Sequence, residues 1–319
     1  MLALAEIAPS YWIGFIGVIL VFLALDLGVF HRHARVVTFR EALAWTALWV
    51  CVAMLFGLVM APNLVESWSR SDTVEFVTGY IVELSLSMDN VFVIALIFAY
   101  FRVPLHFQHR VLFWGILGAL LMRGVMIWLG TELIHRFNWM LYVLGGFLVL
   151  TGIRMLFTGD EGVHPEKNPV IRGAQKLFPV SHRFHGQSFS TKINGRFALT
   201  PLAIVLLMVE TTDLVFAVDS IPAIFAVTQD AFIVFTSNVF AILGLRSLYF
   251  VLAGAIEFFR FLKFGLSVVL IFIGAKMLLV WFEIKIPTTV SLLVVASVIL
   301  SSILASVLLA RWKRTERRG

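Results

Sequence analysis

The chain has 319 residues, 60% of them hydrophobic and 14% charged, where soluble domains carry about 25% charged residues. With a mean hydropathy of +0.96, this composition excludes a globular enzyme built round one core and predicts an all-α polytopic membrane protein. The formal net charge of +6 is no argument for nucleic acid, because most Lys and Arg fall in short loops between apolar runs; the partner is the lipid bilayer.

A spanning helix needs about 20 apolar residues. Nine runs qualify: 11–30, 41–61, 74–101, 108–130, 138–157, 198–221, 231–253, 264–282 and 288–310. The first ten residues contain Glu6 but no Lys or Arg, so they lack the basic start of a signal peptide and the first run is expected to be retained. Asp26 lies near the end of that run, either lining an exit path or reaching the interface. Span 2 holds Cys51, the one cysteine, which excludes an intramolecular disulfide or a thiolate cluster.

Span 3 carries Glu83, Asp89 and Asn90, and span 4 carries Arg123. Span 5 ends near Arg154. The segment 158–197, with Pro165, Pro169, Pro179 and the histidines His164, His182 and His185, reads as a linker with little core. Span 6 carries Glu210, Asp213 and Asp219 ahead of Pro222, where a helix break is expected. Span 7 carries Asn238 and Arg246, span 8 carries Lys276, and a basic tail follows span 9.

Loop charges alternate. One side collects Arg32, Arg35, Arg40, Arg102, Arg110, six Lys or Arg of 158–197, Arg260, Lys263 and the tail. The other side holds only Arg70, Arg136 and Lys285. The positive-inside rule then puts the N-terminus outside and the C-terminus in the cytoplasm.

An internal repeat organises the middle of the chain. Asp89-Asn-Val-Phe matches Asp213-Leu-Val-Phe; Leu117 to Arg123 matches Phe240 to Arg246; Gly152-Ile-Arg154 matches Gly274-Ala-Lys276. The offsets are 124, 123 and 122 residues. Spans 3–5 therefore return as spans 6–8, and an odd repeat unit enters from the opposite side. The expected units are 1–72 (two peripheral spans), 73–157 (first repeat), 158–197 (linker), 198–282 (second repeat, inverted) and 283–319 (last span and tail). Inverted repeats of this kind place substrate near the midplane.

The duplicated acids fall at that depth, where a carboxylate costs about 2.5 to 3.5 kcal/mol even on lenient insertion scales. Glu83, Asp89, Glu210, Asp213 and Asp219, with the amide of Asn90 and candidate help from Asn238, form an oxygen-only donor set. Such donors suit hard cations, namely Mn²⁺, Mg²⁺ or Ca²⁺. Crowded carboxylates repel, so protons can replace a departing metal. Spacing complicates a single site. On regular helices Asp89 points about 120° away from Glu83, and Asp219 points nearly opposite Glu210. Either the helices unwind locally, or the acids form several stations along a path. Arg123 and Arg246 lie too deep to snorkel and are expected to pair with acids and hold the empty site together, or to be plain structural ion pairs. Arg154 and Lys276 are expected to snorkel to headgroups. No phosphate-binding loop, zinc-protease or serine-hydrolase motif occurs, so neither enzyme activity nor an organic cofactor is expected.

The runs Gly79-Tyr80 to Glu83 and Asp89-Asn90-Val-Phe-Val, Glu210 to Asp219-Ser-Ile-Pro-Ala-Ile-Phe, and Thr236-Ser-Asn238 to Arg246 resemble the TerC family, and within it the Alx branch. The resemblance implies a multi-pass protein of the bacterial inner membrane, tied to tellurite resistance and alkaline response and viewed as a manganese exporter. It also implies that Glu83, Asp89, Glu210, Asp213 and Asp219 are the functional acids. The leading expectation is a secondary transporter that exports Mn²⁺, with protons as counter-ion. The alternatives are a non-transporting metal-handling or stress factor, for instance one that metallates exported enzymes, or a Ca²⁺ or Mg²⁺ carrier. A tellurite oxyanion fits poorly with five acids against two arginines.

Overall fold

Helix boundaries follow the polar residues that interrupt the apolar runs. The computed structural model describes residues 8–25, 38–157, 165–181, 183–193, 195–253 and 261–316. In order these form α1 (Pro9–Leu25), α2 (Phe39–Leu55), which continues through a π turn into α3 (Ala61–Leu64), α4 (Arg70–Tyr100), α5 (Leu105–Arg136), α6 (Met140–Phe157), α7 (Pro169–Leu177), a hairpin of β1 (Ser190–Ile193) and β2 (Arg196–Leu199), α8 (Pro201–Phe225), α9 (Ala231–Ala253), α10 (Leu262–Leu279) and α11 (Thr288–Glu316). Among the described residues eight helices are long and apolar enough to cross a membrane. The expected ninth, α1, has 17 described residues, and the rest of its expected run, 26–30, lies outside the described residues. Asp26, expected at its end, lies outside the described residues.

The caps explain most shifted boundaries. Ser69 and Asp72 form a capping box, the Asp72 carboxylate accepting the Ser69 N–H at 2.7 Å, and α4 therefore starts at Arg70, four residues before the apolar run. α8 starts at Pro201 instead of 198, because 196–199 pair with 190–193 in the hairpin and Thr200 takes the N-cap, accepting from the Ala203 N–H at 3.3 Å. Asp230 accepts from the N–H groups of Phe232 and Ile233 at 2.7 and 3.1 Å and starts α9. α5 continues to Arg136, six residues past the expected end, with His135 and Arg136 in its last turn, where cations suit the helix dipole. The break expected at Pro222 does not occur. Pro222 lies inside α8, which ends only three residues later at Phe225, so its missing N–H interrupts little.

α9 is the hub: 89% of its apolar window is buried, against 11% in α2 and 17% in α11. It packs on α4, α2 and α5, while α8 packs on α5 and α4. α11 leaves Leu293, Leu300, Leu304 and Leu308 each at least 60% exposed, a surface suited to lipid. α6 packs along α10 through glycines that allow close approach. A Cβ at Gly274 would sit 2.6 Å from the Gly145 carbonyl oxygen and 2.9 Å from the Val149 nitrogen; one at Gly152 would sit 2.9 Å from the Ser267 oxygen and 3.1 Å from the Ile271 nitrogen. Each of these residues is 122 positions from its counterpart in the other set, so the two contact sets interconvert at the repeat offset.

The described part of the expected linker 158–197 carries α7 and most of the β1–β2 hairpin. Ile171 of α7 is 1% exposed and packs with Val205 and Met208 of α8. Asn168 caps α7, and its amide donates to Thr211 Oγ1 at 2.8 Å. Lys276 does not snorkel: it is buried on α10 and faces Glu75 of α4.

Candidate cation site

α5 enters its membrane segment with small and apolar residues and carries Arg123 at mid-length. Arg123 is 1% exposed, which leaves an obligatory cation in low dielectric unless acids meet it. Three neighbouring helices supply partners. Arg123 Nη1 donates to Glu83 Oε1 of α4 and to Asn238 Oδ1 of α9, the latter at 3.1 Å; Nη2 donates to Asp213 Oδ1 of α8 at 3.1 Å. Ser87, one turn beyond Glu83, donates its hydroxyl to the same Oε1 at 3.2 Å. Asn238 is held in turn by donation from Nδ2 to the Val234 carbonyl at 3.0 Å. Glu83, Asp213 and Asn238 are all buried.

The cluster is under-satisfied. Glu83 Oε2, Asp213 Oδ2 and Arg123 Nε are buried with no protein hydrogen-bond partner. Buried polar atoms are rarely left so. Two carboxylates against one guanidinium leave a formal charge of −1 in the buried interior, with two acceptor oxygens unspent.

The other expected acids occupy separate stations. Glu210 is half-buried one turn before Asp213 and close enough to feel its charge. Its carboxylate lies against Gly118 of α5, where a Cβ would come 2.0 Å from Oε1. Asp219 is hydrogen-bonded to Thr151 and faces Arg154, both on α6. Asp89 is half-buried on α4, the same uninterrupted helix as Glu83 and six residues from it. Asn90 is buried two turns along from Glu83. Arg246 is half-buried and lines a small cleft with His109, Trp45, Trp49 and Ser247. Among the described residues no group of three or more His, Cys, Asp or Glu side chains is close enough to share a metal ion. Asn238 is brought to the Arg123 guanidinium, so its carbonyl oxygen joins the Glu83–Asp213 cluster.

Three further residues take part that the apolar pattern does not mark. Ser87 lies one turn from Glu83 and shares its face. Gly118 lies five residues before Arg123 and makes room for Glu210. Glu75 is hydrogen-bonded to Thr228 and faces Lys276, with Asp72 and Asp230 nearby.

Eight membrane-length helices around buried charge define a polytopic all-α membrane protein. The family model described as "Integral membrane protein TerC family" matches residues 68–318. The chain is 50% identical over 304 residues to the uncharacterized membrane protein STKORF319 of Myxococcus xanthus, covering 95% of this chain and 94% of that one. It is 42% identical over 316 residues to Alx of Escherichia coli K12 and to Alx of Photorhabdus laumondii, each described as a proposed membrane-bound redox modulator, with 98% of both chains covered. No solved structure matches at a significant level. The chain belongs to the TerC family of integral membrane proteins, in its Alx branch.

Proposed function

We propose that this chain is a secondary transporter that exports a divalent cation, Mn²⁺ foremost, from the cytoplasm, with protons returning as counter-ion. The observation that carries the reading is the pair of buried, unpartnered carboxylate oxygens, Glu83 Oε2 and Asp213 Oδ2, in a cluster of formal charge −1. Oxygen-only donors match Mn²⁺, Mg²⁺ or Ca²⁺ better than Zn²⁺ or Cu²⁺. Partly exposed Glu210, a turn from Asp213, offers a desolvating ion an intermediate stop, and Asp89, Asn90 and Asp219 are further stations of the same donor chemistry. A proton on Asp213 or Glu83 would neutralise the cluster once the ion leaves.

The same reading takes α4–α6 and α8–α10 as inverted halves. The interconverting glycine contacts of α6 and α10, and the reciprocal packing of α4 on α9 and α5 on α8, support it. The basic loops favour a bacterial inner-membrane protein with the N-terminus outside and the C-terminus in the cytoplasm.

The test is uptake of radioactive Mn²⁺ into inverted membrane vesicles, with Ca²⁺ and Mg²⁺ as competitors. Asp213→Asn and Glu83→Gln should each abolish uptake while the protein remains in the membrane. Unchanged uptake in both variants refutes the transporter. The description of Alx as a redox modulator motivates a second reading, a membrane metal-handling or stress factor. Mn²⁺ binding without accumulation in vesicles would favour it.

A further inference from the structure

We infer that Arg123 is a tethered stand-in for the transported ion: its guanidinium occupies the cation position between Glu83 and Asp213 in the empty carrier, and the metal binds by displacing it. The inference rests on the transporter reading and adds the mechanism by which the site is filled and emptied.

Three observations carry it. The guanidinium holds Glu83 Oε1 and Asp213 Oδ1 and so already bridges the two carboxylates, on α4 and α8, that a cation between these helices would bridge. Neither contact is the two-pronged fork that makes arginine–carboxylate pairs strong. Each carboxylate receives one guanidinium hydrogen bond, and Glu83 Oε2, Asp213 Oδ2 and Arg123 Nε stay unsatisfied. An ion pair built only to hold the helices together would spend those atoms. Finally, Nη1 also donates to Asn238 Oδ1 at 3.1 Å. That neutral acceptor on α9 can keep the guanidinium after both acids have turned to the metal.

The arrangement has a functional consequence. With the metal bound, Arg123 stays nearby as a like charge and weakens the metal's hold, which favours release on the far side. With the metal gone, Arg123 closes the gap and leaves the acids paired during the return step. Binding is thereby exchanged for turnover.

The experiment compares the purified full-length protein with Arg123→Gln in detergent, reading the rise in unfolding temperature as Mn²⁺ is added. Removing a like charge a few ångströms from the metal should tighten apparent Mn²⁺ affinity by about tenfold or more. The variant, less stable without metal, should gain more from Mn²⁺ than wild type, and its uptake into vesicles should slow. A purely structural arginine predicts a lower unfolding temperature with an equal or smaller response to Mn²⁺, and that result overturns the inference. If neither protein responds to Mn²⁺, the transporter reading itself fails. Should Arg123→Gln not fold, Arg123→Lys decides: its point charge cannot hold both acids at once, so a response no larger than wild type also overturns the inference.

Discussion

Arg123 and Arg246 stand at matching places in the sequence repeat, 123 residues apart, and they differ in burial. Arg123 is buried between two acids and an amide on three helices. Arg246 is half-buried and lines a cleft with His109, two tryptophans and Ser247. The acids differ too. Glu83 faces Arg123, whereas Glu210 turns to the notch at Gly118. The matching sequence positions Gly152 and Gly274 make related packing contacts, while Arg123 and Arg246 differ in burial. Arg123 meets Asp213 from the later run, so the buried cluster joins residues of both repeated runs.

The largest effect expected is on Arg123 itself. Arg123→Leu leaves two buried carboxylates unpaired and should cost about 3–5 kcal/mol, read as loss of unfolding free energy in detergent. Arg246→Leu should cost clearly less, and an equal cost would erase the contrast between the two arginines. Next come the glycines of α6 and α10. Gly152→Ala and Gly274→Ala push a methyl into backbone atoms and should each destabilise by about 1–3 kcal/mol. Gly146→Ala on the same helix meets nothing within 4 Å and should gain about 0.5–1 kcal/mol. Similar losses at the first two positions sharpen the case for related halves; a large loss at only one breaks it.

A smaller stability effect, under about 1.5 kcal/mol, is expected for Gly118→Ala, because the flexible Glu210 carboxylate can move away. Its signature should instead be slower Mn²⁺ uptake, matching Glu210→Gln. If Gly118→Ala transports like wild type, the Glu210 station has no role. The mildest change is Asn168→Ala, which removes the α7 cap and the link to Thr211 and should cost about 1 kcal/mol without altering Mn²⁺ binding at the central cluster.

Much of this was legible in the chain because the membrane restricts the choices. Long apolar runs become helices, and deep charges need partners. Pro222, by contrast, does not break α8 as its ring suggested. What escaped the sequence depends on angles between helices. Lys276 resembles Arg154 by repeat position and by distance from a helix end, yet it turns inward to Glu75, a partner 201 residues away in the chain. Ser87, Gly118 and the cap at Thr200 act through neighbours one turn or one helix away, and no apolar period reports them. The fold of α7 rests on one buried residue, Ile171, and one side-chain cap, too little signal to separate it from a linker.

Where the metal sits decides the matter most directly. Anomalous diffraction, or a high-resolution map, of the protein loaded with Mn²⁺ should show the ion bound to Glu83 and Asp213, with the Arg123 guanidinium drawn off toward Asn238. Mn²⁺ bound elsewhere with Arg123 still clasping both acids would contradict that picture.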